Sequence, residues 1–203
     1  IDKIKNKYTS QIDNKDKLNF EENLKIINNQ IKQIGNLVNE FSDFARMPKP
    51  VLKDNDLIQE LNNNIKLLSQ IDDKIKIEFK RSLEKIYFNC DKEQLSRVFL
   101  NLIKNSIESI HQKVANIGNF DKKISIDIKE NNDHITIIMT DNGIGFGVFK
   151  NSIKEILHPY FTTKKNGTGL GLSIVNKIIS DHNGKINFIS INDGAKVEII
   201  LNK

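Results

Sequence analysis

The sequence lacks several residues on which whole protein classes depend. It has one cysteine in 203 residues and no tryptophan. Because Cys90 has no second cysteine to pair with, an internal disulfide is excluded, which favours a reducing compartment. No apolar run approaches the roughly 18 residues that a membrane-spanning helix needs. The hydrophobic fraction of 38% is too high for a disordered chain. The length allows one domain, or a small domain with a helical appendage.

Arginine is also scarce, so lysine carries the positive charge. The formal net charge is +5, and the only arginines are Arg46, Arg81 and Arg97. A basic protein can bind nucleic acid, but these lysines are interspersed with aspartate and glutamate, and no arginine-rich or aromatic-interleaved patch occurs. We therefore expect a solvated lysine-rich surface and no nucleic acid partner.

A helical pattern covers the N-terminal part of the chain. We predict a short helix at residues 1–8, a turn at 9–19, and a long helix that ends at Pro48, because proline cannot continue it. The long helix has two interpretations: it packs on its own domain, or it belongs to a hairpin that dimerises as a four-helix bundle. Strict heptad a and d spacing favours the second. The apolar positions are Leu24, Ile27, Ile31, Ile34, Val38, Phe41 and Ala45.

Helices alternate with strands after a linker at residues 48–55. Asp54 or Asp56 can cap the first helix, and Asp91 with Gln94 forms a capping-box signal for a longer one that reaches about Val114. A third helix ends at His182, with Asn183-Gly184 as a left-handed cap. This order predicts an α+β fold, a two-layer sandwich of helices on a sheet. The predicted strands are 75–79, 86–88, Ile124–Ile128, Ile135–Met139, Lys185–Ile191 and Lys196–Leu201.

Two polar clusters lie on or beside these elements. Asn101, Asn105 and Glu108 share one face of the long helix, where amide oxygens suit Mg²⁺; the plain alternative is a solvated face. Asp141-Asn-Gly143-Ile-Gly145 follows a strand, so its carboxylate can accept from an exocyclic amine while the glycines let a flat ring approach. The plain alternative here is an ordinary turn.

Two further clusters precede the last helix. Pro159–Lys164 combines an aromatic anchor with a lysine placed to meet an anionic phosphate. Gly167–Ser173 has three glycines that free backbone N–H groups at a helix N-terminus, a site suited to phosphate. No Gly-Lys-Ser/Thr follows, which excludes a P-loop, and no strand directly precedes, which excludes the dinucleotide motif.

Together and in this order, the four clusters resemble the N, G1, F and G2 boxes of bacterial sensor histidine kinases. These kinases carry a GHKL-type ATP-binding catalytic domain, of the superfamily that includes gyrase, Hsp90 and MutL. The segment from Glu40 to Pro50, after the heptad pattern, resembles the second dimerisation helix of NtrY-type nitrogen-regulation sensor kinases. The resemblance implies a partial dimerisation segment at 1–50 and an ATP-binding catalytic domain at 51–203.

The resemblance also implies roles for particular residues. Asn105 would coordinate the Mg²⁺ that bridges the ATP phosphates, and Asp141 would bind the adenine amino group, with Gly143 and Gly145 close to the ring. Residues 146–166 would form a lid, and Asn101, Asn105 and Lys164 would be the catalytic residues. The remaining expected nucleotide contacts are Phe161, Thr162, Thr163, Lys164, Gly167, Thr168, Gly169, Leu170, Gly171 and Leu172.

Two positions qualify the implied activity. Asn101 stands where the hydrolytic branch has a water-activating glutamate, and an amide cannot act as a general base. Transfer to a protein acceptor is therefore favoured over ATP hydrolysis. Glu108 stands where many of these kinases have lysine, which we interpret as a subfamily trait.

The expected phosphoacceptor histidine is missing. None of the four histidines (His111, His134, His158 and His182) lies in the family's acceptor box, and we expect each to be a surface or capping residue. The chain should therefore bind ATP without phosphorylating itself. The resemblance implies a response regulator as partner, a homodimer through the helical segment, and the cytoplasmic portion of a sensor anchored by upstream segments. The alternatives are an ATP-hydrolysing relative and a nucleotide-binding or dimerisation module without transfer activity.

Overall fold

The structure, a computed structural model, describes residues 1–9, 11–146, 153–162, 164 and 167–203. The chain divides into two units: Ile1–Met47 with Thr163–Thr168, and Pro48–Thr162 with Gly169–Lys203. Within the described ranges, no helix is long and apolar enough to cross a membrane.

Two helices make up most of the first unit. Helix α1 covers Asp2–Tyr8 and helix α2 covers Asn14–Ala45. The prediction of a turn over residues 9–19 was wrong at its C-terminal end, because α2 already begins at Asn14. The polar residues there have only weak preferences against helix, which a long amphipathic helix outweighs. The C-terminal end agrees with the prediction, since α2 stops two residues before Met47-Pro48.

The apolar face of α2 is largely exposed. Leu24 is buried, but the five heptad positions after it are between 47% and 61% exposed. These positions are Ile27, Ile31, Ile34, Val38 and Phe41. Whether α2 packs on its own domain or pairs with a second copy stays a prediction.

A five-stranded mixed sheet forms one layer of the second unit. Its strand order is β2-β4-β5-β7-β6, in which β2 is parallel to β4 and the other pairs are antiparallel. Strands β1 and β3 pair separately as an antiparallel ribbon. Strand β1 lies in the predicted linker, where Lys-Asp-Asn-Asp gives no alternating apolar pattern. The strands are β1 Lys53–Asp56, β2 Lys76–Arg81, β3 Tyr87–Cys90, β4 Lys123–Glu130, β5 His134–Asp141, β6 Gly184–Ser190 and β7 Ala195–Asn202.

Three helices form the second layer of this unit, which confirms the predicted α+β sandwich. They are α3 Leu57–Leu68, α4 Lys92–Ile117 and α5 Gly171–Asp181, and a 3-10 turn covers Ile153–Leu157. Helix α4 packs against α3, α5 and strand β5. Its predicted apolar face is at most 3% exposed and lies at the centre of the core. That face comprises Leu95, Val98, Phe99, Leu102, Ile103 and Ile107.

Helix α4 begins at Asp91, but only half of the predicted capping box forms. The Gln94 backbone N–H donates to Asp91 Oδ1 at 3.1 Å, whereas the Gln94 side chain donates to the Pro48 carbonyl at 3.1 Å. The Asp91 backbone N–H donates instead to His182 Nε2 at 3.0 Å. The buried His182 ring carries its hydrogen on Nδ1 and donates it to the Ile178 carbonyl at 2.8 Å. His182 therefore joins the C-terminal end of α5 to the N-terminal end of α4.

The other helix ends largely follow the sequence signals. Asp56 Oδ1 accepts from the Ile58 backbone N–H at 3.0 Å, so Asp56, one of the two predicted candidates, caps α3. Past the end of α5, Asn183 has φ of 55°. This left-handed residue turns the chain directly into β6, as the Asn183-Gly184 signal predicts.

Candidate functional site

The carboxylate of Asp141 is buried at the C-terminal end of β5. Asp141 Oδ1 accepts from the Gly143 backbone N–H at 2.9 Å, and Oδ2 accepts from the Ser106 hydroxyl at 2.9 Å. Burial raises the pKa of Asp141, while the hydrogen bonds from Gly143 and Ser106 oppose that rise. The result is a buried acceptor held in a fixed orientation, to which a donor on a flat ligand can bind.

The loop after Asp141 is packed closely on α4. The Ile144 backbone N–H donates to Ser109 Oγ at 3.1 Å, and Lys113 Nζ donates to the Asn142 carbonyl at 2.8 Å. A Cβ at Gly143 would overlap Ser109, which is why a glycine is required there. Helix α4 therefore sets the path of this loop through Ser106, Ser109 and Lys113.

The same helix brings Asn101 to the start of α5. Asn101 Nδ2 donates to the Arg97 carbonyl at 2.9 Å. A Cβ built on Gly171 would lie 3.2 Å from Asn101 Oδ1, so the two residues are adjacent. Asn105 is half-buried one helical turn further along α4. Glu108 lies one turn beyond, with its Oε1 4.0 Å from Lys104 Nζ. The asparagine cluster and the beginning of the glycine-rich helix therefore meet.

Glycine at position 169 allows the two remaining clusters to touch. Gly169 has φ of 72°, and a Cβ there would lie 2.8 Å from the Phe161 backbone nitrogen. The Tyr160 backbone N–H donates to the Gly169 carbonyl at 3.1 Å. Leu170 follows, fully buried, in the N-cap position of α5, where it offers no capping side chain. Backbone N–H groups at this helix start are therefore suited to an anion.

The hydrogen bonds and packing described above do not involve all of the residues that were predicted to bind the nucleotide. Thr163 lies outside the described residues, as do 147–152 and 165–166 of the predicted lid. Phe161 and Leu172 are half-buried and Thr162 is exposed. Lys164, Gly167 and Thr168 belong to the first unit, where the Thr168 hydroxyl donates to a carboxylate oxygen of Glu40. Their roles toward a nucleotide remain predictions.

The side chains that hold the loop after Asp141 were not predicted from the sequence. Ser106, Ser109 and Lys113 lie on α4 at spacings of three and four, the same periodicity that singled out Asn101, Asn105 and Glu108. Gly194 was missed as well, although it has φ of 105° and a Cβ there would overlap the Asp141 carbonyl. The helical spacing of Ser106 and Ser109 on a predicted helix is the sequence signal that marks them. The Asp193-Gly194 pair between the last two predicted strands is a hairpin-turn signal that marks Gly194, but its closeness to Asp141 follows from the pairing of Asp141 with the next residue, Ala195.

The side chains available for a metal are few. Within the described ranges, no three His, Cys, Asp or Glu residues are grouped so that they could hold a metal ion. Mg²⁺ often keeps waters and is bound through substrate phosphates with one or two protein oxygens. Asn105 as a single amide ligand fits that pattern.

Comparisons with known proteins agree on one family. Residues 90–203 match the family model of histidine kinase-, DNA gyrase B- and HSP90-like ATPases. A Rickettsia conorii protein described as an NtrY-like sensor histidine kinase is 32% identical over 199 residues, which are 98% of this chain and 32% of that protein. The chain spans about a third of the length of the curated relatives it matches.

Solved structures of one histidine kinase, ThkA, resemble the fold. Its catalytic domain is 25% identical with a TM-score of 0.65, and the match covers 75% of this chain and 95% of that one. The structure of ThkA in complex with the response regulator TrrA gives a TM-score of 0.73 at 22% identity, over 95% of this chain and 53% of that one.

Proposed function

The chain belongs to the family of histidine kinase-, DNA gyrase B- and HSP90-like ATPases, and we propose that it is the ATP-binding catalytic part of a sensor histidine kinase. In this proposal, residues 51–203 bind Mg-ATP and direct its γ-phosphoryl group to a histidine. Residues 1–50 are part of a dimerisation segment. The names of the relatives support this assignment.

The observation that carries the proposal is the buried carboxylate of Asp141. A buried charged group is costly unless it is hydrogen-bonded. Two of its acceptor positions are filled by Ser106 and Gly143, and an ionised carboxylate has further lone pairs to offer. A 6-amino group of adenine is a donor of the right kind. A Cβ at Gly143 would overlap Ser109 and one at Gly145 would overlap Gly194, so the two glycines let the loop pack closely beside Asp141.

We propose that the phosphate end of the ligand binds between Asn105 on α4 and the start of α5. Asn105 would supply an amide oxygen to Mg²⁺, which neutralises phosphate charge during transfer. The backbone N–H groups at the start of α5, around Gly169 and Gly171, would hold the phosphates. Lys164 and the other predicted contacts would complete this side.

Transfer is proposed over hydrolysis because of Asn101. Its amide lies where Oδ1 is adjacent to Gly171, and an amide cannot take a proton from water as a general base. The acceptor is proposed to be a histidine on another segment or chain, and a response regulator is proposed to receive the phosphoryl group next. The solved complex of ThkA with its response regulator supports that partner class.

Calorimetry of Mg-ATP binding tests the nucleotide site. Asp141→Ala should weaken binding by about 1–3 kcal/mol, roughly five- to more than a hundredfold, because the acceptor for the base is lost. Asn105→Ala should weaken mainly the Mg²⁺-dependent part. Asp133→Ala is a matched control, since Asp133 is exposed immediately before β5 and Asp141 ends that strand. Wild-type protein that binds no nucleotide would contradict the proposal.

Adding a histidine-bearing dimerisation helix in trans tests the transfer step. Acid-labile labelling of that helix from γ-labelled ATP, dependent on Asn105, is the expected result. Steady phosphate release without an acceptor would instead favour an ATP-hydrolysing enzyme. Binding with neither labelling nor release would favour a nucleotide-binding or dimerisation module.

A further inference from the structure

Ser106 fixes the orientation of the Asp141 carboxylate. Its hydroxyl donates to Oδ2 at 2.9 Å, and the Gly143 backbone N–H donates to Oδ1 at 2.9 Å. Ser106 and Asp141 are both buried, at 8% and 6% exposed. Because each oxygen has its own donor on a separate element, the carboxylate cannot rotate without breaking one of these bonds.

Ser106 also influences which protonation state Asp141 adopts. Burial raises the pKa of Asp141, and hydrogen bonds from Gly143, Ser106 and the Ala195 backbone oppose the rise. The nearby positive charge is Lys113 on α4, whose Nζ is already bound by the Asn142 carbonyl and the Asp193 carboxylate. Within the described residues, Ser106 therefore supplies the direct side-chain hydrogen bond that favours the ionised form.

We propose that Ser106 is a positioning residue that sets the base selectivity of the nucleotide site by keeping Asp141 a fixed, acceptor-only carboxylate. This inference rests on the proposed function, since it takes the base to bind at Asp141. An ionised carboxylate accepts from the 6-amino group of adenine and repels the 6-carbonyl oxygen of a base such as hypoxanthine. A protonated carboxyl group can donate to that carbonyl.

Loss of the Ser106 hydroxyl therefore changes selectivity as well as affinity. Without it, the pKa of Asp141 rises further, and the acid is protonated at a higher pH. ATP binding needs the ionised form. As the solution is acidified, ATP binding therefore begins to weaken at a higher pH in this variant than in wild type. Inosine triphosphate differs from ATP by a carbonyl in place of the amino group. Its affinity should rise over the pH range in which the affinity for ATP falls.

Ser109 provides a matched control on the same helix. Its Oγ accepts from the Ile144 backbone N–H at 3.1 Å, so it supports the same loop. The side-chain hydrogen bond to the Asp141 carboxylate, however, comes from Ser106, and the others come from the Gly143 and Ala195 backbone. Ser109→Ala should weaken ATP and inosine triphosphate by similar factors, with no shift in the pH profile.

The experiment measures Mg-ATP and Mg-inosine triphosphate affinity from about pH 5 to pH 8 for wild type, Ser106→Ala, Ser106→Thr and Ser109→Ala. We expect Ser106→Ala to lower the ATP preference by about tenfold or more at the acidic end of this range. The pH profile for ATP should also shift upward, because the hydrogen bond that favours the ionised form is lost. Ser106→Thr, which keeps the hydroxyl, should retain the ATP preference and the pH profile of the wild type. Equal weakening of the two nucleotides by Ser106→Ala, with an unshifted profile, would overturn the proposal.

A second measurement needs no nucleotide. The pKa of Asp141, followed by carbon-13 NMR of its carboxyl group, should be higher in Ser106→Ala than in wild type. An unchanged pKa in a folded variant overturns the role of Ser106, even if wild type binds ATP. A raised pKa in a protein that binds neither nucleotide would leave the Ser106–Asp141 coupling intact while refuting ATP binding, and with it the selectivity proposal.

Discussion

Helices α2 and α4 are both long and amphipathic, but their apolar faces differ in how far they are exposed. The central apolar positions of α4 are at most 3% exposed, whereas the heptad positions of α2 from Ile27 to Phe41 are between 47% and 61% exposed. Both patterns were plain in the sequence, and both correctly predicted a helix. Periodicity therefore indicates that a face needs covering without indicating what covers it.

The largest expected effect contrasts one isoleucine on each helix. Ile103 on α4 is fully buried and Ile34 on α2 is 61% exposed. Ile103→Ala should lower the free energy of unfolding by about 2–5 kcal/mol because it leaves a cavity. Ile34→Ala should change it by less than about 0.5 kcal/mol in a dilute monomer. Urea unfolding of both variants measures the difference.

Protein concentration turns this contrast into a test of dimerisation. If two copies pair through α2, Ile34→Ala should become destabilising as concentration rises, because the mutant loses contacts made only in the dimer. A cost at Ile34 that is large and independent of concentration would contradict the exposed face of α2.

Two glycines give the next largest contrast. Gly194 has φ of 105° and lies against the Asp141 carbonyl, whereas a Cβ at Gly35 in α2 meets nothing within 4 Å. Gly194→Ala should destabilise by about 1–3 kcal/mol through backbone strain alone. Gly35→Ala should stabilise by about 0.5–1 kcal/mol, because alanine is the better helix residue. Thermal unfolding of both variants checks the opposite signs, and two equal shifts would contradict them.

The smallest expected effect concerns the contact between Asp72, which lies between α3 and β2, and His111 on α4. The pKa of Asp72 is lowered to about 2, chiefly by the His111 side chain at 2.9 Å, with Lys122 also nearby. A lowered folded-state pKa means stability that is present above the ordinary value of 3.8 and is lost as pH falls toward about 2. In Asp72→Asn, the loss of unfolding free energy over this pH range should be smaller than in wild type, by less than about 1 kcal/mol. Unfolding free energies across this pH range measure it, and an unchanged slope would contradict the assignment.

Sequence alone predicted the elements whose signal is local. The order of helices and strands, the caps at Asp56 and Asp91, and the burial of the α4 face follow from periodicity and capping preferences. Strand β1 was missed because its four polar residues pair with β3 through the backbone. The reciprocal half of the capping box was wrongly expected, since His182, distant in sequence, takes the Asp91 N–H.

The candidate site shows the same division. Asp141, Asn101 and Gly171 were recognised by motif, and the contacts of α4 bring them into one region. The roles of Ser106 and Gly194 were not predicted, because each acts through a contact with Asp141 that joins residues far apart in the sequence. Roles toward a nucleotide follow from the resemblance and stay predictions until binding is measured.

The hydrogen bond between His182 and Asp91 has a mechanical consequence for α5. One end of this helix is attached to the start of α4 through His182, and the other end, at Gly171, abuts Asn101 further along α4. Helix α5 is thus held by α4 at both of its ends. A displacement of its glycine-rich end would therefore be transmitted to α4, because α5 cannot rotate independently about its C-terminal end.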